Sequence, residues 1–190
     1  MKCPILVSVC GPVLALSWWW SALALAEQPA AGSKQIVLNL SSSAFASGAA
    51  IPVKYTCEGE NSSPPLKWSG LPEGTKSVAL ICDDPDAPGG TWVHWLLYDL
   101  PPTTSELNEK LAPTPTLPDG GKQGTNSFKK IGYGGPCPPP GKGHHYFFKL
   151  YALDTALALK PGATKVDLLG AMEHHVLGEG MLMGTYQRKK

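Results

Sequence analysis

One short part of the chain combines carboxylates, aromatic rings and a histidine: "DDPDAP" at residues 83–88 is followed within six residues by "WVHW" at 92–95. Because a residue that precedes proline avoids helical geometry, this segment is expected to be extended, and Asp84 and Asp86 then project to one side. Two carboxylates so close repel each other unless water, a proton, a cation or strong donors lie between them. The motif predicts either a polar binding site or an Asx turn at a strand end.

The residues around His94 predict a strand that is covered on both faces. Side chains alternate along "TWVHWLLYD", and both resulting faces are largely apolar. A histidine in such a strand needs a hydrogen-bond partner. Two interpretations follow: a hydrogen-bonded core histidine, or an imidazole that meets Asp84 and Asp86 at the mouth of a pocket.

A third element with chemical potential is the glycine- and proline-rich stretch "GYGGPCPPPGKGHHYFF" at residues 132–148. Glycines allow the backbone to approach a ligand closely, and prolines stiffen a loop. Exposed backbone amides in such a loop suit an anion such as phosphate. The loop then enters a strand in which His144 and Tyr146 share a face.

Short segments rich in branched and aromatic residues dominate the rest of the chain, bounded by Gly, Pro, Asn and Ser, and they predict a mainly β domain. The predicted strands lie at 36–40, 51–56, 78–82, 92–99, 146–153 and 181–186. No helical pattern of crossover length separates most of them, which disfavours a doubly wound parallel sheet. The long connection at 101–130 has little apolar periodicity and is expected to form one wall of a site.

One helix is predicted near the C-terminus. Thr164 and Asp167 have the spacing of a capping box, and an apolar stripe at helical spacing follows until Gly178. The members of that stripe are Val166, Leu169, Met172 and Val176. His174 falls on the opposite face and is expected to be a solvated surface residue, whereas the role of His175 stays open.

The N-terminus resembles a secretory signal: Lys2 precedes an apolar run from 5 to 25, and "ALA" at 24–26 places small residues at the two positions that a signal peptidase reads. We expect cleavage after Ala26, a flexible leader at 27–34 and a single domain at 35–190, in a periplasmic or secreted protein. An uncleaved membrane anchor is the alternative, which Pro4, Gly11 and Pro12 argue against. The charge without the signal is near zero, so neither nucleic acid binding nor stable membrane attachment is expected.

An exported chain would keep three cysteines, Cys57, Cys82 and Cys137, in an oxidising compartment. Cys82 ends an apolar strand and is expected to be a buried thiol. Cys57 and Cys137 lie in segments punctuated by glycine and proline, so we expect these two to form a disulfide.

"DDPDAPGGTWVHWLLYDLP" together with "GYGGPCPPPGKGHHYFFKLYALD" resembles the phosphatidylethanolamine-binding protein family, in its bacterial, Raf kinase inhibitor-like branch. Further similar motifs are "YTCEGENSSPPLKWSGLP" and "MLMGTY", so the resemblance covers about residues 36–187. It implies a β-sandwich-like pair of antiparallel sheets, with one or two short helices near the C-terminus. It also implies a pocket for a phosphate-bearing or other anionic ligand.

The resemblance assigns seven residues to this ligand pocket: Asp84, Asp86, His94, Gly135, Pro139, His144 and Tyr146. Many relatives have an arginine where this chain has His145, so a fixed cation at the pocket rim is lost, and any ion pair that it makes in relatives is not carried over to this chain. A phosphate that keeps one proton could donate to a carboxylate while the histidines and loop amides donate to its other oxygens. Binding is then expected to strengthen as the histidines become protonated.

The expected function is a non-catalytic, exported binding protein, with an unidentified protein partner as a further expectation and without a cofactor. A hydrolase is the first alternative, although no GxSxG motif is present and only Ser62 and Ser63 lie near a motif-like loop. A metal site that uses Asp84, Asp86 and the histidines is the second, although no HxH or HExxH spacing supports it.

Overall fold

The computed structural model describes residues 36–188. The predicted signal peptide and leader lie outside the described residues. Within 36–188 the elements follow in the order β1 (Ile36–Val37), β2 (Asn39–Ser41), a 3-10 turn (Val53–Tyr55), β3 (Leu66–Ser69), β4 (Ser77–Asp84), β5 (Trp92–Leu100), β6 (Glu106–Leu107), β7 (Lys122–Gln123), β8 (His144–Leu153), α1 (Lys165–Met172) and β9 (Val176–Tyr186). None of the helices in this part of the chain has the length and apolar character needed to cross a membrane.

The strands form a six-stranded sheet, in the order β1-β9-β8-β4-β5-β7, and a three-stranded sheet, in the order β2-β3-β6. Neighbouring strands run antiparallel, apart from the short β1–β9 pair, which is parallel. This mainly β architecture, with two sheets and one short helix, confirms the fold that the sequence resemblance implied.

The main core contains apolar side chains from both sheets, such as Trp68 of β3, Trp95 of β5 and Phe148 of β8. A smaller apolar cluster lies on the other face of the large sheet, where Ile81 and Leu96 belong to the same cluster as residues of α1. The central strands β4 and β5 are therefore covered on both faces, as predicted for β5, because each face meets an apolar layer.

Helix α1 has the predicted start but a different buried face. Thr164 and Asp167 form the capping box. The predicted apolar stripe is correct at Met172, which is buried, but wrong at Val166 and Leu169, which are 79% and 44% exposed. The helix buries Leu168 together with Met172. These two residues are four positions apart and lie on the face that packs on the sheet.

The helix also ends earlier than predicted. His174 adopts a left-handed backbone conformation with φ 65°, and Val176 already belongs to β9. The His174 side chain is exposed, as predicted. His175, whose role the sequence left open, contacts Asp154 through Nδ1 at 2.7 Å.

Two strand predictions near the N-terminus need correction. The segment 51–56 contains a 3-10 turn, in which the Tyr55 amide donates to the Pro52 carbonyl at 2.9 Å. Pro52 has no amide hydrogen for a sheet ladder, which favours this turn. The segment 36–40 is divided between β1 and β2, which belong to different sheets.

Candidate functional site

The cavity of greatest chemical interest lies where the adjacent strands β8, β4 and β5 place their polar ends side by side. Asp84 is the last residue of β4 and pairs with Trp92 at the start of β5, while His144 begins β8. These ends enclose a cavity of about 220 Å³, and its lining residues are Asp84, Ala87, Pro88, Trp92, His94, Phe128, Cys137, Pro138, Pro139 and His144. Antiparallel pairing thus brings Asp84 and His144, which are sixty residues apart in the chain, into contact.

Asp84 is only 3% exposed, and donors contact both of its carboxylate oxygens. His144 Nδ1 lies 2.8 Å from Oδ2, and the backbone amide of Asp86 donates to Oδ1 at 2.8 Å. The second contact is the Asx turn considered from the sequence, and the first contact orients an imidazole at the cavity. The Asx-turn interpretation therefore applies to Asp84, and the same carboxylate also lines the cavity.

His94 is 2% exposed, and its Nδ1 lies 2.5 Å from the Gly134 carbonyl oxygen. Because a carbonyl only accepts, Nδ1 carries the hydrogen, and Nε2 is a hydrogen-bond acceptor in the neutral ring. Burial lowers the pKa of His94, an effect that the Gly134 carbonyl and the negative charge of Asp84 oppose. His94 is therefore uncharged at neutral pH, and it meets the ring of Tyr146 edge to face at 5.1 Å between centroids.

The other two carboxylates of "DDPDAP" do not line the cavity. Asp83 is buried and forms ion pairs with Lys149 at 2.9 Å and Lys165 at 2.5 Å. Asp86 contacts His145 instead, through the backbone amide at 2.9 Å and Nδ1 at 2.7 Å. These hydrogen bonds lower the pKa of Asp86.

The glycine- and proline-rich loop supplies one wall, on which Pro139 has the place that the sequence predicted. Gly135 has a different place, because its amide donates to the Asn61 side-chain oxygen at 2.7 Å. A Cβ at this position would stand 2.4 Å from the Tyr55 carbonyl oxygen, so a glycine is needed for the close approach of two backbone segments. The structure joins Cys57 and Cys137, which lie in these two segments, in the predicted disulfide.

Tyr146 lies behind the cavity wall and is only 1% exposed. Its hydroxyl has no hydrogen-bond partner within residues 36–188. Burial raises the pKa of Tyr146, and the nearby Asp84 carboxylate acts in the same direction. Cys82 is buried, and burial also raises the pKa of its thiol.

The mouth of the cavity has a residue that the sequence did not single out. Phe128 and Trp92 are each 37% exposed and meet edge to face at 5.4 Å. Asn126 positions Phe128, because its Oδ1 accepts hydrogen bonds from the amides of Phe128 and Lys130 at 3.0 and 3.1 Å. Phe128 belongs to the connection 101–130, so this connection does supply part of a cavity wall.

The residues considered for a hydrolase or a metal site do not come together at this cavity in the way that those functions need. Ser62 and Ser63 line another cavity, beside Tyr133, rather than the one with His94. No group of three or more His, Cys, Asp or Glu side chains within residues 36–188 is placed to hold a metal ion. A larger groove of about 720 Å³, lined in part by Ile51 and Tyr186, includes no histidine among its described lining residues.

The described residues form a two-sheet β protein with a small cavity at the ends of three adjacent strands, and Asp84, His94 and His144 are among the lining residues of this cavity. The phosphatidylethanolamine-binding protein family model matches residues 41–187. The chain therefore belongs to the phosphatidylethanolamine-binding protein family.

Three similar proteins support this placement. A UPF0098 protein of Methanothermobacter thermautotrophicus is 55% identical over 151 residues, which cover 80% of this chain and 99% of that protein. A relative from Mycobacterium tuberculosis, named as a proposed lipoprotein, LppC, is 44% identical over 151 residues, 79% of this chain and 72% of that protein. The crystal structure of E. coli YbcL, described as a new member of the mammalian PEBP family, matches with 35% identity and a TM-score of 0.74, over 80% of this chain and 99% of that one.

Proposed function

We propose that this protein is an exported, non-catalytic binding protein whose cavity accepts the phosphate group of a small ligand. One observation carries the proposal: the buried pair of Asp84 and His144, and the buried His94, converge on a cavity of about 220 Å³. Buried polar groups are costly unless they are paired, and here they face a space that a small polar ligand can enter.

The hydrogen-bonding capacity of these groups suits a phosphate ester that keeps one proton. Neutral His94 offers Nε2 as an acceptor for a P–OH group, since Nδ1 already donates to Gly134. A protonated His144 can donate from Nε2 to a phosphate oxygen while Nδ1 remains on Asp84. The positive charge of His144 then offsets the carboxylate that would otherwise repel an anion.

This arrangement predicts that phosphate binding is coupled to proton uptake. The ligand must keep one proton to donate to Nε2 of neutral His94, and the second pKa of a phosphate ester is about 6. By linkage, the affinity for phosphate then rises as the pH falls.

A binding role is preferred to catalysis because the described residues that line the cavity include no serine, no threonine and no free thiol. Such a lining offers no hydroxyl or thiol for covalent catalysis. The N-terminal sequence and the name of the mycobacterial relative support export to the periplasm or the medium. A protein partner of this site would present a phosphate group to the cavity.

Isothermal titration calorimetry with inorganic phosphate and phosphoethanolamine, at pH 5.5 and 7.5, tests the proposal. We expect saturable one-to-one binding that is tighter at pH 5.5. Asp84→Asn should weaken it by about tenfold or more, since losing a charge-assisted partner costs about 1.5–3 kcal/mol. The matched control is His174→Gln, which changes an exposed histidine away from the cavity. Absence of binding, or equal affinities for all three proteins, would contradict the proposal.

A further inference from the structure

The Cys57–Cys137 disulfide is part of the cavity wall. Cys137 lines the cavity together with Pro138 and Pro139, which follow it directly. Both cysteine residues are exposed to solvent. An exposed disulfide is accessible to thiolates, and disulfides of this kind are the more labile ones in proteins.

Backbone hydrogen bonds fix the loop as far as Pro136, the residue before Cys137. The carbonyl of Pro136 accepts a hydrogen bond from the Cys57 amide at 3.1 Å. Within residues 36–188, no hydrogen bond then reaches positions 137–140, and the next one is the bond from the Gln187 side chain to the Gly141 carbonyl. Prolines at 138–140 have no amide hydrogen to donate. The disulfide is therefore the one covalent tether within the stretch 137–140, which carries part of the cavity wall.

We propose that the Cys57–Cys137 disulfide is a thiol-exchange site that controls the shape of the cavity. One thiolate of a dithiol reductant attacks a sulfur of the disulfide and forms a mixed disulfide, and its second thiolate then displaces the protein sulfur. The dithiol loses two electrons and two protons and becomes a disulfide, while the protein gains them as two thiols. Without the tether, Pro138 and Pro139 leave their positions and the cavity loses its fixed shape.

The third cysteine stays outside this exchange. Cys82 is 1% exposed, and burial raises the pKa of its thiol, so little reactive thiolate forms. Reduction and reoxidation are therefore confined to the exposed pair.

The consequence for phosphate binding rests on the proposed function, whereas the loosening of the wall does not. If the wall is in place about a tenth of the time after reduction, the apparent affinity for phosphate falls about tenfold. Lys142 follows this wall and is already exposed, and the loosened wall makes its backbone more mobile and easier to cleave, because mobile loops are the preferred sites of nicking.

The experiment compares the oxidised protein, the protein reduced with dithiothreitol and alkylated with iodoacetamide, and the Cys57→Ser/Cys137→Ser variant. Near-ultraviolet circular dichroism checks that each sample is folded. Two readouts follow: the affinity for inorganic phosphate, and the rate of tryptic cleavage after Lys142. Cleavage after Lys76, which precedes the opposite end of β4, is the internal control, and Cys82→Ser is the control variant.

Support consists of faster cleavage at Lys142, unchanged cleavage at Lys76 and about tenfold weaker phosphate binding in both disulfide-free samples. If phosphate binds equally with and without the disulfide and the cleavage rate at Lys142 is unchanged, the inference is wrong while the proposed function stands. If the oxidised protein binds no phosphate, the proposed function fails, and the Lys142 cleavage rate alone then decides whether the tether holds the wall. If the reduced samples unfold, oxidised protein is given a short pulse of reductant, and the ratio of the cleavage rates at Lys142 and Lys76 is measured before global unfolding.

Discussion

Gly135 offers the sharpest test of how the cavity wall is built. Its backbone conformation is open to any residue, but the space around its Cα leaves no room for a side chain. Its φ is not in the left-handed region, so a Gly135→Ala change tests steric fit alone. The added Cβ would lie 2.4 Å from the Tyr55 carbonyl oxygen, 2.6 Å from the Asn61 side-chain oxygen and 2.9 Å from the Thr56 Cα. Two of these three atoms belong to the backbone and cannot rotate away.

The magnitude follows from two costs. Overpacking of this kind costs about 1–3 kcal/mol. Displacement of the Asn61 oxygen leaves the buried Gly135 amide without its acceptor, which costs about 1–3 kcal/mol more. We therefore expect the free energy of unfolding to fall by about 2–6 kcal/mol.

Urea denaturation of the oxidised protein measures this change. The matched control is Gly170→Ala, because Gly170 lies in α1 and nothing stands within 4 Å of an added Cβ. That change should stabilise the protein by about 0.5–1 kcal/mol, since alanine is the better helix former. A Gly135→Ala protein within about 0.5 kcal/mol of the parent would refute the steric reasoning.

Three further predictions concern the stability of the site without ligand. Because burial lowers the pKa of His94, the unfolded chain binds more protons than the folded chain once the pH is below about 6.5. The free energy of unfolding should therefore decrease as the pH falls, by up to about 1.4 kcal/mol per pH unit. Urea titrations across pH that give the same slope for the parent and His94→Gln would speak against this. Asp84→Asn should lower the free energy of unfolding by about 1–3 kcal/mol in the same assay. The side-chain NH2 group that it introduces would face a hydrogen-bond donor, either the Asp86 amide or His144 Nδ1. An unchanged urea midpoint would contradict this prediction. Loss of the disulfide in Cys57→Ser should cost about 2–5 kcal/mol, since it closes a loop with a sequence separation of 80; equal melting temperatures would contradict the estimate.

The sequence was most informative where local chemistry decides the structure. Alternation in "WVHWLLYD" predicted a doubly covered strand, and the structure has β5 there. The Asx turn considered for "DDPDAP" is present at Asp84, whereas the extended conformation predicted for the segment ends there, because residues 85–86 form a turn. The convergence of Asp84, His94 and His144 also agrees with the sequence, because all three lie at strand ends that antiparallel pairing brings together.

Where the direction of a side chain depends on a distant segment, the sequence was insufficient. Gly135 was assigned to the ligand, but the approach of the Tyr55 and Asn61 segment gives it a packing role. The helix buries Leu168 rather than Val166, because the position of the sheet, and not the local periodicity, selects the face. Phe128 lies in a connection without periodicity, so its place at the cavity mouth had no sequence signal.

The central claim is that Asp84, His94 and His144 bind one phosphate group together. The most direct measurement is a titration with inorganic phosphate, in the presence of a chelator, that follows the imidazole NMR signals of the histidines. We predict saturable shifts of the His94 and His144 signals with one common dissociation constant, no shift of exposed His174, and loss of the shifts in Asp84→Asn. Histidine signals at the cavity that stay unchanged up to high phosphate concentrations would contradict the account.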